Sequence, residues 1–220
     1  MSSTLLVDSL LLLTSWFLAR PFDFSEEAYW EQLLVACKCL VLAIRAVCDH
    51  CEEVKEVIGV PHLRLLVHIL SHAAEADEKG AGGAKREESM ANVYSSIAIL
   101  ATNSPVLVEE LVVIHDGLFL SICSRIFSAS LRYLASGECN QNSDTYLLAN
   151  ACSSALAAVL RVAPIHSIDK FVLDASRPRD GGKCDLWILT TALQMSASFN
   201  FKGCRNLHRT ASGILLGLCR

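Results

Sequence analysis

Charge is the first thing this sequence is short of. Asp, Glu, Lys and Arg make up 19% of its 220 residues, against a usual share of about 25%. Part of the apolar excess, 52% of the chain, is therefore expected to meet another surface. No basic run exceeds Lys85 and Arg86, and the net charge is −4, which disfavours nucleic-acid binding through phosphate neutralisation. Strand signals are nearly absent, since no segment sustains strict alternation between turn residues. Aromatic residues are few and mostly Phe; Trp16, Trp30 and Trp187 read as core or groove anchors rather than ligand cages.

Reaction centres are missing as well. None of the seven histidines stands in a nucleophile elbow, an HExxH helix or a paired-carboxylate setting. His115 and Asp116 are helical neighbours pointing about 100° apart, which suits a helix end better than a dyad. The segments "GAGGAK" and "DGGK" lack the P-loop spacing and a preceding strand. The chain is expected to be non-catalytic and to need no cofactor.

Ten cysteines are present, four of them within "CKCLVLAIRAVCDHC". On one helix Cys37 and Cys48 would lie about 16 Å apart, too far to share an ion. A C-x2-C, H-x3-H combination of Cys48, Cys51, His68 and His72 spans sixteen residues between its halves, one beyond the usual zinc window. Zinc stays an alternative, but a repeat pattern explains the same residues without metal. Most cysteines fall in long apolar helical patterns, as small hydrophobes in a reducing compartment, cytoplasmic or nuclear. The apolar run "STLLVDSLLLLTSWFLAR" carries Asp8 and has no basic residue before it. It reads as a packed helix in preference to a signal peptide or an anchor.

Helical spacing recurs from end to end, so the expected class is all-α. Asp23 or Ser25 can cap a first long helix, Gly59 and Pro61 mark a second start, and Ser104 with Pro105 a third. Polar, breaker-rich loops are expected at 75–88, 136–144 and 176–185. A pattern of long, short and medium helices occurs three times, with a fourth cycle opening at "CRNLHRTASGILLGL". Aligning Ala43, Ile97 and Ala155 gives offsets of 54 and 58 residues, beyond the roughly 40 to 47 of armadillo and HEAT repeats. The polar loops supply the excess.

The stretches "VIGVPHLRLLVHIL" and "ESMANVYSSIAILATNSPVLVEELVVIHDGLFLSI" resemble the armadillo pattern: Gly-x-Pro opening a second helix, an Ala-rich third helix, then a short first helix. The resemblance covers about residues 33 to 200 and is strongest over 53–120. It implies a short right-handed α-solenoid of about three units, 24–76, 88–135 and 144–198, flanked by helices at 4–19 and 203–219. Such stacks bind proteins along a groove lined by the third helices. Where peptide-gripping members carry an inward Asn and a Trp one turn earlier, this chain has Ile99 and Ser95, and Ala158 falls near the next Asn place. A scaffold is thereby favoured over an importin-like grip on a basic peptide. The candidate groove residues are Lys38 and Arg45, then Asn92, Ser95 and Ser96, then Asn150, Ser153 and Ser154, suited to a helix or mildly acidic segment. A terminal module of a larger assembly, self-associating through apolar ends, is the alternative.

Overall fold

The computed structural model describes residues 12, 27–50, 58–78, 83–113, 118–135, 144–177, 184–197 and 204–219. Among them are nine multi-residue helices and no strand: α1 (Glu27–His50), α2 (Val60–Glu78), α3 (Gly83–Asn103), α4 (Pro105–Val113), α5 (Leu118–Ala135), α6 (Asp144–Val162), α7 (Ile165–Ala175), α8 (Asp185–Ser196) and α9 (Cys204–Leu218). The all-α class is as expected. The long, short, medium order is visible in α3, α4, α5 and again in α6, α7, α8. The short piece after α1 and the flanking helix at 4–19 lie outside the described residues, except Leu12, which is helical and exposed.

Local chemistry sets the helix starts. Gly59 precedes α2, and its N–H donates to Nδ1 of His62 at 3.1 Å while its carbonyl accepts from the His62 N–H at 3.0 Å. That reciprocal pair satisfies a terminal donor as a Glu does in a capping box. Pro105 opens α4, where a missing N–H costs nothing, and the Ser104 carbonyl accepts from Leu107 N–H. At α8 the thiol of Cys184 accepts from Trp187 N–H at 3.4 Å. The capping candidates Asp23 and Ser25 lie outside the described residues.

The expected loop over 75–88 is shorter than its composition suggested, because α2 runs to Glu78 and α3 starts at Gly83. Ala84, Lys85, Arg86, Glu87 and Glu88 are all good helix formers. Gly83 has φ +46°, with open space around the site of a Cβ, so the left-handed entry into α3 is what calls for glycine there.

The long helices form a layer. α1 packs beside α3, α3 beside α6 and α6 beside α9, while α5 packs under α6 and beside α8. Neighbours in the layer run parallel and nearly in register. Lys85 of α3 bonds Glu27 and Glu31 of α1, which holds the Glu27 carboxyl below its usual range through that bond and the attending charge. Thr145 of α6 donates to Glu87 of α3, 58 positions earlier, at 2.8 Å. Thr210 Oγ1 of α9 lies 2.8 Å from Ser153 Oγ of α6, 57 positions earlier. Gly213 faces Ala157 and Gly217 faces Leu160, which continues the same step along both helices.

One continuous core fills the space between the layers. It includes Trp30, Leu66, Ile69, Tyr94, Phe119, Phe127, Leu156 and Leu189. Cys37, Cys123 and Cys152 are buried within it, and Cys152 donates to the Cys123 carbonyl at 3.4 Å. Burial pushes the Cys37 thiol up to about 12 and that of Cys123 well above its ordinary value. Thiols so placed stay protonated and unreactive near neutrality. α6 is long and apolar enough to cross a membrane by length and composition; half of that window is buried inside the fold, at the centre of the layer.

A candidate protein-binding face

Each long helix of the layer keeps one narrow strip open. In α3 residues 88, 91, 92, 95, 98, 99 and 102 retain exposure, while 89, 90, 93, 94, 96, 97, 100 and 101 are buried. In α6 the open positions are 147, 150, 151, 154, 157, 158 and 161, and the residues between them from 148 to 160 are buried. These are the i, i+3, i+4, i+7 steps of a single helical face. The two strips repeat at the helix register, so they lie side by side on one surface. Val35, Lys38, Cys39, Leu42, Arg45 and Ala46 extend it on α1, and Arg205, Arg209, Ser212, Leu215 and Leu216 on α9.

Six of the eight sequence candidates fall on this surface. Lys38 and Arg45 are exposed, and Asn92, Ser95, Asn150 and Ser154 are partly open. Ser96 and Ser153 do not belong to it. Both are fully buried: Ser96 Oγ donates to the Asn92 carbonyl at 3.0 Å, and Ser153 sits in the seam against Thr210. Adjacent helical residues point about 100° apart, so 95 and 96, or 153 and 154, cannot both look out of one strip.

The strip's hydrogen-bonding character follows from where its hydrogens are spent. Ser95 donates to the Ala91 carbonyl, Ser154 to Asn150 and Ser212 to His208, at 2.8, 2.7 and 3.0 Å. Asn92 donates to the Glu88 carbonyl at 2.8 Å. These bonds to the preceding turn use up the hydroxyl protons. The serine oxygens keep lone pairs and act outward as acceptors. Asn150 adds an enclosed Oδ1 with no hydrogen-bond partner among the described residues.

Charge is arranged differently from the sequence expectation. Lys38 is paired across to Glu88 of α3 at 2.7 Å, so it staples α1 to α3 instead of standing ready for a ligand. Arg45 remains an exposed cation at one end, and Arg205 and Arg209 stand exposed on α9 at the other. The α9 residues lie beyond the three cycles that supply the candidate ladder. The recurring Ser95, Ser154, Ser212 spacing of 59 and 58 residues is the signal that extends it.

Among the described residues the metal alternative is not assembled. The ring of His72 lies 6.4 Å from that of Tyr29 and 6.1 Å from His68. Cys48 is nineteen residues along α1 from Tyr29, about 28 Å of helix, so it sits at the opposite end from those imidazoles. Cys51 lies outside the described residues, as do Trp16, His115 and Asp116. Among the described residues no group of three or more His, Cys, Asp and Glu is placed to hold an ion. Compared with family models, curated proteins and solved structures, the chain matches none.

Proposed function

We propose that the chain is a non-catalytic protein-interaction scaffold, an armadillo-like α-solenoid of about three units whose working surface is the open face of α1, α3, α6 and α9. The observation that carries this reading is the registered strip: four parallel helices present the same step of the repeat to one side. The centre of that face is small, with Ala91, Ser95, Ala98, Ala151, Ser154 and Ala157, so a partner helix or extended segment can approach the backbone closely. Exposed arginines at the two ends favour a segment with acidic flanks, and the serine acceptors favour one with donors at its middle. The buried, protonated thiols fit a reducing compartment, cytoplasmic or nuclear.

Substituting Ser95→Arg together with Ser154→Arg tests the face. Both positions are partly exposed, so stability should change little, by about 0.5 kcal/mol per site. Bulk in the middle of the strip should weaken a captured partner at least tenfold, a loss of about 1.4 kcal/mol. Affinity unchanged in this variant and in Arg45→Glu would move the interface elsewhere. Lys38→Glu is a poor probe, since it would set two carboxylates together at Glu88.

A second reading, a terminal module that self-associates, is favoured by one observation. Leu216 on α9 and Leu42 on α1 are 72% and 63% exposed, on the two outer helices of the layer among the described residues. A stable monomer at micromolar concentration would exclude it; obligate assembly would favour it over the scaffold.

A further inference from the structure

The short helices α4 and α7 carry an exposed pattern that the layer face does not use. α4 turns in Leu107, Val108 and Leu111, and α7 turns in Ser167, Ile168 and Phe171, the same burial sixty positions on. Outward, both helices show apolar, acidic, apolar at steps of four: Pro105, Glu109 and Val113 on α4, Ile165, Asp169 and Leu173 on α7, all exposed. Such steps advance only about 40° each around a helix, so each trio forms one ridge. Val113, Ile165 and Leu173 are 62%, 55% and 61% exposed. Single exposed apolar residues call for no explanation, but the same positions left bare in two successive units mark a surface.

Placement brings the two ridges together. α3 and α6 are parallel neighbours with matching ends, where Ser104 N–H donates to the Leu100 carbonyl and Ala163 N–H to the Val159 carbonyl, both at 2.8 Å. α4 and α7 therefore leave the layer at one edge, start about one helix spacing of 8 to 10 Å apart, and both touch α5. The exposed charge there is lopsided. Glu109, Glu110, Asp169 and Asp174 stand against Lys170 and Arg177, and Arg177 is already paired with Asp174 at 3.4 Å. Glu109 and Asp169, at the middle of the ridges, make no ion pair among the described residues. Apolar side chains set around such carboxylates fit a partner that brings apolar contacts and cations together, and they oppose an anionic lipid surface.

The geometry points to a second docking surface, on α4 and α7, for a basic amphipathic helix of another protein, its apolar residues seated between the ridges and its lysines or arginines reaching Glu109 and Asp169. Long cationic side chains lay their methylenes along apolar surface while their heads reach a carboxylate, so one face of a helix meets both demands. This surface is separate from the layer face and has the opposite charge preference. The two proposals fail separately.

Titration of the full chain with a short helical peptide of leucine and lysine, and with its leucine and glutamate counterpart, tests it through backbone amide shifts. The lysine peptide should shift α4 and α7 saturably, and the glutamate peptide should leave them in place. Glu109→Gln with Asp169→Asn should weaken the lysine peptide about three- to tenfold, the range for two exposed ion pairs. Added salt should weaken binding to the wild type more than to this variant. Val113→Ser with Leu173→Ser should weaken it about tenfold through lost apolar burial. All four side chains are exposed, so neither variant should move the melting temperature beyond the small change usual at surface sites. Ser95→Arg with Ser154→Arg, on the layer face, should leave the affinity as it is. Equal shifts of α4 and α7 by the two peptides, no saturable shift with the lysine peptide, or wild-type affinity in either double variant of α4 and α7 overturns the proposal. So does self-association of the wild type at micromolar concentration that Val113→Ser with Leu173→Ser abolishes, since a second copy would then occupy the ridges.

Discussion

Replacing Gly217 with leucine is expected to lift α9 off α6. A Cβ at Gly217 would stand 2.6 Å from Leu160 Cβ and 3.4 Å from the Leu160 carbonyl carbon. Both atoms are fixed by the α6 backbone in its last turn, and 2.6 Å is closer than real Cβ atoms come, so the helices themselves have to separate. The α9 residues held against the core are Leu207, Ala211 and Ile214, all buried. Re-exposing Leu207 and Ile214 forfeits about 1.5 to 3 kcal/mol for each side chain, so about 3 to 6 kcal/mol is at stake. Gly213→Ala is the matched control. There the new Cβ meets only Ala157 Cβ, at 3.4 Å, and alanine in a helix interior gains about 1 kcal/mol over glycine. Two glycines one turn apart in the same helix should thus respond with opposite sign. Amide exchange should show α9 unprotected in Gly217→Leu and protected in Gly213→Ala. Protection of α9 in the leucine variant would mean that the helices do not approach so closely.

Trp30→Ala carries the second large effect. The indole is 1% exposed, and its ring stands 5.0 Å from that of Tyr29 at 77°, an edge-to-face arrangement. Tyr29 in turn meets His72 of α2. Burial raises the Tyr29 hydroxyl far above its ordinary value, with nearby Cys37 adding to the shift, so the phenol stays neutral throughout the physiological range. This corner joins the start of α1 to the later turns of α2. Truncating a fully buried tryptophan costs about 3 to 5 kcal/mol. In a chain of this size each kcal/mol moves the midpoint by about 2 to 4 °C, so denaturant and thermal midpoints should both fall well outside error. Trp187, 47% exposed, should cost far less when truncated. Similar losses at both positions would contradict the placement of Trp30 in the core.

Much of the architecture could be read before any coordinates. The all-helical class, the helix lengths from α3 to α8, the starts near Gly59 and Pro105, and the helix at α9 all follow from apolar spacing and from residues that start or stop helices. Orientation was harder. A helical residue misplaced by one position turns by about 100°, which is why Ser95 and Ser154 look outward while Ser96 and Ser153 do not. Long-range pairing was harder still. Nothing local to Lys38 announces that Glu88, fifty residues on, will take its charge. The close seam of α6 and α9 did leave a trace, the spacing of Gly213 and Gly217, but its meaning depends on what lies opposite.

The central claim is that α1, α3, α6 and α9 form an open, parallel layer. Spin labels carried on non-cysteine reactive residues at Leu42, Ser95, Ser154 and Ser212, measured in pairs by electron double resonance, test it most directly. Neighbouring helices pack about 8 to 10 Å apart, so separations from Leu42 should lengthen in successive steps of about that size, reaching roughly 25 to 30 Å at Ser212. A Leu42 to Ser212 distance as short as that of neighbouring pairs would mean that the helices close into a bundle, and the open face would not exist.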